Sequence, residues 1–367
     1  MHDPNQREPY RTRVADVQAK LGALAADTYI RSALTEERLR EIGERVESDT
    51  VENLSLGYWR PVFCYVSRHS LSDLQGLEGD IGLVVAHSIR RLASDVTRFL
   101  GAEPEQDREW RAGLFETFVK SRLLRTKALA VELDWALPNG KKTDLRLAMD
   151  GKAFHVECTV MTESDEDRQA YDRYMEALKS DSNLTLIRPG TFDEPDFKGP
   201  SPYYDCLRVY LKVYDKIAPK LNPANSQLPE EGANILALSL DSSFTTLSAT
   251  EPGVAWALDD LFANQPRAQP RLENAPTGRA DVSLLTWLDF YAKELSGKSE
   301  LDLDWYCEHF HEILAAPKRI GGVLLFDSCA LKGARLNYNA LPSCAFTHRQ
   351  MAMFEGLLGA PPSWFSP

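Results

Sequence analysis

Apolar positions recur at the three- and four-residue spacing of a helix over the first hundred residues, and beyond residue 128 the period shortens to two. Residues 11–34 place Val14, Val17, Leu21 and Leu24 on one face, which predicts a helix. Thr35, followed by Glu36 and Glu37, reads as the N-cap of another. A third is predicted over residues 80–100, starting at Asp80, with Ile81, Val85, Ile89, Leu92 and Val96 in one stripe. Between them GYWRPVFCYVS is aromatic and holds Pro61, so its periodicity leaves its state open. Polar residues around Pro104 mark a boundary. A helix within 104–128 follows, with Trp110, Leu114 and Phe118 on one stripe and Glu116 beside Val119 and Leu123 on another. Apolar residues on both sides predict a largely buried helix.

Then AVELDWAL, TDLRLAM and KAFHVECTVM alternate as strands do, separated by Pro138-Asn139-Gly140 and Asp150-Gly151. A two-residue turn at Asp150-Gly151 pairs Met149 with Lys152. Counting outward, Leu147 meets Phe154, Leu145 meets Val156, and Asp144 meets Glu157. The register matches apolar to apolar and sets two carboxylates opposite each other on the polar face. Helices are predicted within 163–179, within 203–221 and around LLTWLDFYAKEL, with strands at ANILALSLD and at GGVLLFDS (321–328). The order predicts an α/β fold with a mixed central sheet flanked by helices. Two domains are expected: a mainly helical N-terminal module over 1–103, and an α/β domain with a C-terminal extension over 104–367.

The 367 residues are 43% hydrophobic and 26% charged, which excludes a disordered or fibrous chain. A net charge of −12 excludes a uniformly basic nucleic-acid binder, though not a local cationic patch. Lys120, Arg122, Arg125 and Lys127 are candidates for such a patch. Six scattered cysteines without a C-x-x-C pair, and a polar N-terminus, suit a cytoplasmic protein. No apolar run reaches membrane-spanning length, so no membrane partner is expected. The helical module leaves a homodimer or another protein partner open.

Asp144 and Glu157 lie inside strands, where aspartate is disfavoured. Two carboxylates held close repel unless a proton or a cation lies between them. Hard oxygen ligands suit Mg²⁺ or Mn²⁺. The alternative is a polar face open to water. Cys307, His309 and His311 in WYCEHFH give too few same-face ligands for a closed zinc site. His155 shares the Glu157 face, as a substrate contact or as a structural histidine.

Glu116 in LFETFVKSRLL, Thr143-Asp144 in KKTDLRL and Glu157-Cys158-Thr159 in AFHVECTV together resemble the PD-(D/E)XK nuclease superfamily, over roughly residues 105–245. The resemblance implies a restriction-endonuclease-like core and a metal-dependent endonuclease acting on nucleic acid, with DNA the favoured polymer. It implies Asp144 and Glu157 as direct metal ligands, Glu116 as an outer one and the Cys158 carbonyl as a further one. Thr143 replaces the family's proline, and Thr159 its lysine, whose charge a hydroxyl cannot supply. Lys212, Lys216 and Lys220 of the 203–221 helix are candidate replacements, with Lys216 favoured and Lys152 in the turn weaker. A catalytically inactive binding or scaffolding module on the same fold is the competing expectation.

Overall fold

Caps, prolines and turn residues explain most element boundaries in the computed structural model. It describes residues 7–49, 59–88, 96–126, 130–161, 216, 226–229, 233–240, 320–326, 335–338, 347–357 and 362–365. The helices expected within 163–179 and around LLTWLDFYAKEL lie outside these, as do Lys127, Lys212, Lys220, Cys307, His309 and His311. The chain divides into two compact units, Met1–Lys127 with Pro361–Pro367, and Ala128–Ala360. The helix expected to open the second domain at residue 104 therefore belongs with the helices before it.

In the first unit the single helix predicted over 11–34 is two, α1 (Glu8–Ala23) and α2 (Tyr29–Ala33). The chain breaks at Leu24, and α2 starts where the Glu78 carboxylate accepts the Tyr29 and Ile30 N–H groups at 3.0 and 2.5 Å. Thr35 caps α3 (Glu36–Ser48) as expected, accepting the Arg38 N–H. The aromatic segment is α4 (Pro61–Arg68), with proline in the first turn where its missing N–H costs nothing. α5 (Leu71–His87) starts well before the predicted Asp80, because Ser70 and Asp73 close a capping box. Asp80 is instead buried inside the helix, where it accepts the Trp364 Nε1–H at 3.0 Å. α6 (Asp107–Arg125) buries Trp110, Leu114, Phe115, Phe118, Val119 and Leu123 on both its stripes, as predicted.

The second unit carries a six-stranded mixed sheet in the order β1 (Ala130–Ala136), β2 (Lys142–Met149), β3 (Lys152–Val160), β4 (Ala233–Ser239), β5 (Ile320–Phe326) and β6 (Arg335–Tyr338). The first three strands form an antiparallel meander, β3, β4 and β5 run parallel, and β6 returns antiparallel. Asp150 and Gly151 both have positive φ, the backbone of a tight two-residue hairpin turn. The β2–β3 register is the one predicted, with Met149 opposite Lys152, Leu147 opposite Phe154 and Leu145 opposite Val156.

The alternation of burial holds along β2 and fails along β3. Thr143, Leu145, Leu147 and Met149 are buried and their neighbours half-buried. In β3, Phe154, His155, Val156 and Glu157 are all buried. β2 and β3 are both inner strands, so it is cover over the polar face of β3, and not its place in the sheet, that encloses His155 and Glu157 together with Phe154 and Val156. On the apolar face Phe154 meets Phe354 of α7 (His348–Leu357), ring edge to face at 6.0 Å. The C-terminal region, expected as an extension, thus supplies a strand and a helix to this unit. Among the described residues no helix is long and apolar enough to cross a membrane.

Candidate functional site

Asp144 sits where both of its neighbouring ladders open. β1 and β2 pair from Leu133 with Leu145 to Trp135 with Thr143, skipping Asp134, which has a left-handed backbone (φ 53°). The β2–β3 pairing stops at Leu145 with Val156, one step before Asp144 and Glu157 would face each other. Side chains take over from the ladder there. The Thr143 hydroxyl donates to the Val156 carbonyl at 3.1 Å, and the Asp144 carboxylate accepts the Cys158 N–H at 2.7 Å. Asp144 is therefore fixed against the backbone of β3, beside Glu157.

Glu157 is 2% exposed. A carboxylate so far from water needs a charge partner. The Lys216 ammonium supplies it, donating to Glu157 Oε1 at 3.2 Å with Gln227 Oε1 at 3.5 Å. Lys216 is helical and a quarter exposed, so it joins the buried carboxylate to the outside. Its place is set by a short polar segment that the sequence did not single out. The Ser226 hydroxyl donates to the Lys216 carbonyl at 3.2 Å and accepts the Leu228 N–H at 3.1 Å. The Asn139 amide donates to the Ser226 carbonyl at 2.9 Å, and Gln227 Nε2 donates to the Lys142 carbonyl at 3.2 Å. A bare S-Q-L in a loop carries no motif, so only its contacts reveal it.

The same sheet face continues into cationic and aromatic groups. Arg146 stands opposite His155 in the register, ion-pairs with Glu132, and lies over the Trp135 ring at 4.5 Å. His155 is 9% exposed. Burial pushes its imidazole below the usual histidine range, and the nearby Arg146 charge adds to that, favouring the neutral ring. Thr159, in the position where the resemblance expects lysine, is 8% exposed and far too short to replace it.

The structure pairs Glu157 with Lys216 and fixes the Asp144 carboxylate on the Cys158 N–H, one residue along β3 from Glu157. Glu116 belongs to the first unit, on α6, where it pairs with Lys120 one turn further on. The basic run read from the sequence is largely engaged rather than open. Lys120 is buried, Arg125 pairs with Asp80, and Arg122 lies over the Phe118 ring at 5.6 Å.

Among the described residues no set of three or more His, Cys, Asp and Glu side chains gathers to hold a metal. Mg²⁺ commonly takes one or two carboxylates and completes its shell with water and phosphate. Two hard carboxylates on adjoining strands, one of them buried, fit that requirement. Compared with known proteins, the chain matches no family model, no curated protein and no solved structure.

Proposed function

We propose that the chain is a divalent-metal-dependent nuclease that hydrolyses phosphodiester bonds, with DNA as its substrate. The observation that carries this reading is the Lys216 ammonium at 3.2 Å from the buried Glu157 carboxylate, beside Asp144. An acidic pair with a lysine is what hydrolysis of a phosphodiester asks of a protein: oxygen ligands for a cation, and a fixed positive charge for the charge that develops on phosphate. The strand order supports a restriction-endonuclease-like core, since an antiparallel meander continues into a parallel fourth strand. Asp144 and Glu157 hold Mg²⁺ or Mn²⁺ in this reading, with the Cys158 carbonyl as a further ligand. The cation, when bound, activates water and polarises the phosphate. Lys216 takes the place that Thr159 leaves without charge, reaching Glu157 from a different element.

Nicking of supercoiled plasmid and cutting of single-stranded DNA, with Mg²⁺ or Mn²⁺, test this directly. Asp144→Ala and Glu157→Gln should each lower the rate by at least about 100-fold, and Lys216→Met by a comparable factor. Cutting by both carboxylate variants at the wild-type rate would overturn the reading. A second reading, a binding module without turnover, is favoured by Thr159 and by the lack of a third gathered ligand among the described residues. Retained DNA binding with no cutting under either metal would decide for it.

A further inference from the structure

Side chains two residues apart on a strand share a face, so Lys142, Asp144 and Arg146 lie on one side of β2. At a rise of about 3.4 Å per residue, each cation stands about 7 Å along the strand from Asp144. That is comparable to one nucleotide step of an extended strand. Lys142 is half-buried and makes no ion pair among the described residues. Arg146 is held in place by the Trp135 ring and by Glu132. Opposite Arg146, His155 is nine-tenths buried, and its Nδ1 has no hydrogen-bond partner among the described residues. A buried ring nitrogen without a partner costs free energy, which a ligand oxygen or hydroxyl at that spot would recover. Trp135 is half-buried, with the guanidinium on one side of the ring.

We propose that this face of β2 is the track for a single nucleic-acid strand, with Lys142 and Arg146 holding the phosphates on either side of the one at Asp144 and Glu157. His155 Nδ1 completes the contact at Arg146, and Trp135 is the platform on which a base stacks. The assignment rests on the nuclease reading and narrows it to a single-stranded segment. A ring that stacks on any base beside cations that track the backbone is how single strands are gripped without sequence readout. With a net charge of −12 on the chain, two cations beside the carboxylates provide the local attraction that the whole molecule does not.

Fluorescence anisotropy with a labelled thymidine oligonucleotide and a duplex of equal length, in Ca²⁺ and over a salt series, tests it. Wild type should bind the single strand more tightly. Lys142→Ala and Arg146→Ala should each weaken binding about tenfold and flatten the slope of log affinity against log salt by roughly 0.7, one phosphate contact each. Trp135→Ala should weaken it by about 5- to 150-fold at an unchanged slope. Arg146→Lys, which keeps the charge, should keep the slope, and Lys152→Ala in the turn should change nothing. Wild-type slopes in both Lys142→Ala and Arg146→Ala would overturn the track while leaving the nuclease reading standing, provided wild type binds and cuts. Tighter binding of the duplex would overturn the single-strand assignment. A wild type that binds neither polymer would overturn both readings.

Discussion

Thr143 shows how a residue can matter beside a site without joining its chemistry. Its side chain is fully buried and its hydroxyl replaces the ladder bond that β2 and β3 no longer make at that level. Thr143→Val keeps the shape and strips the Val156 carbonyl of that donor, at a cost of about 1–3 kcal/mol. Urea denaturation should show a lower midpoint at an unchanged slope, and an equal midpoint would refute the role given to the hydroxyl. Glu78 is the counterpart in the first unit. Burial pushes its carboxyl above the usual glutamate value, outweighing the two N–H groups it accepts. A group whose folded pKa is raised contributes stability below its unfolded value of 4.5 and loses it as pH rises through the folded value. Glu78→Gln, which does not titrate, should therefore gain on wild type as pH rises from about 4.5 toward neutrality. Melting temperatures across that range check the sign, and a gap that narrows with rising pH would contradict it.

At the scale of elements, capping and close approach decide what periodicity leaves open. Ser70 and Asp73 start α5 before its apolar stripe becomes regular. Ser70→Ala should cost about 1 kcal/mol, read from chemical denaturation. Gly113 lies within α6, where Phe99 of the preceding 3-10 turn presses on the helix. A glycine-to-alanine change in a helix ordinarily gains about 1 kcal/mol. Here a Cβ would collide with the buried Phe99 side chain, so Gly113→Ala should instead destabilise by about 1–3 kcal/mol. A rise in melting temperature would show that Phe99 moves aside freely.

At the scale of the molecule, the first unit is built from two stretches of chain, 1–127 and 361–367. Trp364 is buried there, its indole on Asp80 and its carbonyl accepting the Tyr65 hydroxyl, while Phe365 stacks on Phe118 at 4.5 Å. The whole of the second unit is therefore spliced between Lys127 and Pro361. Trp364→Ala should destabilise the first unit by about 3–5 kcal/mol, and removing residues 361–367 should do so at least as severely. Thermal unfolding checks this, and unfolding unchanged in the truncated chain would show that the returning segment contributes nothing.

The sequence by itself determined the elements whose information is local: the β2–β3 hairpin and its register, because a two-residue turn and a period of two leave one pairing that matches apolar to apolar. It determined the Thr35 cap and the doubly apolar α6 in the same way. It also marked out Asp144, Glu157 and, through the family resemblance, Lys216. Tertiary structure alone decided that the polar face of β3 is enclosed, that Glu157 is held by Lys216 and the Ser226–Leu228 segment, and that α2 begins at a carboxylate from α5. It also decided that residues 361–367 return to the first unit. The physical reason is the same in each case. Alternation along a strand or helix says which side chains share a face, whereas what covers that face, and what charge answers a buried carboxylate, comes from segments far away in the chain.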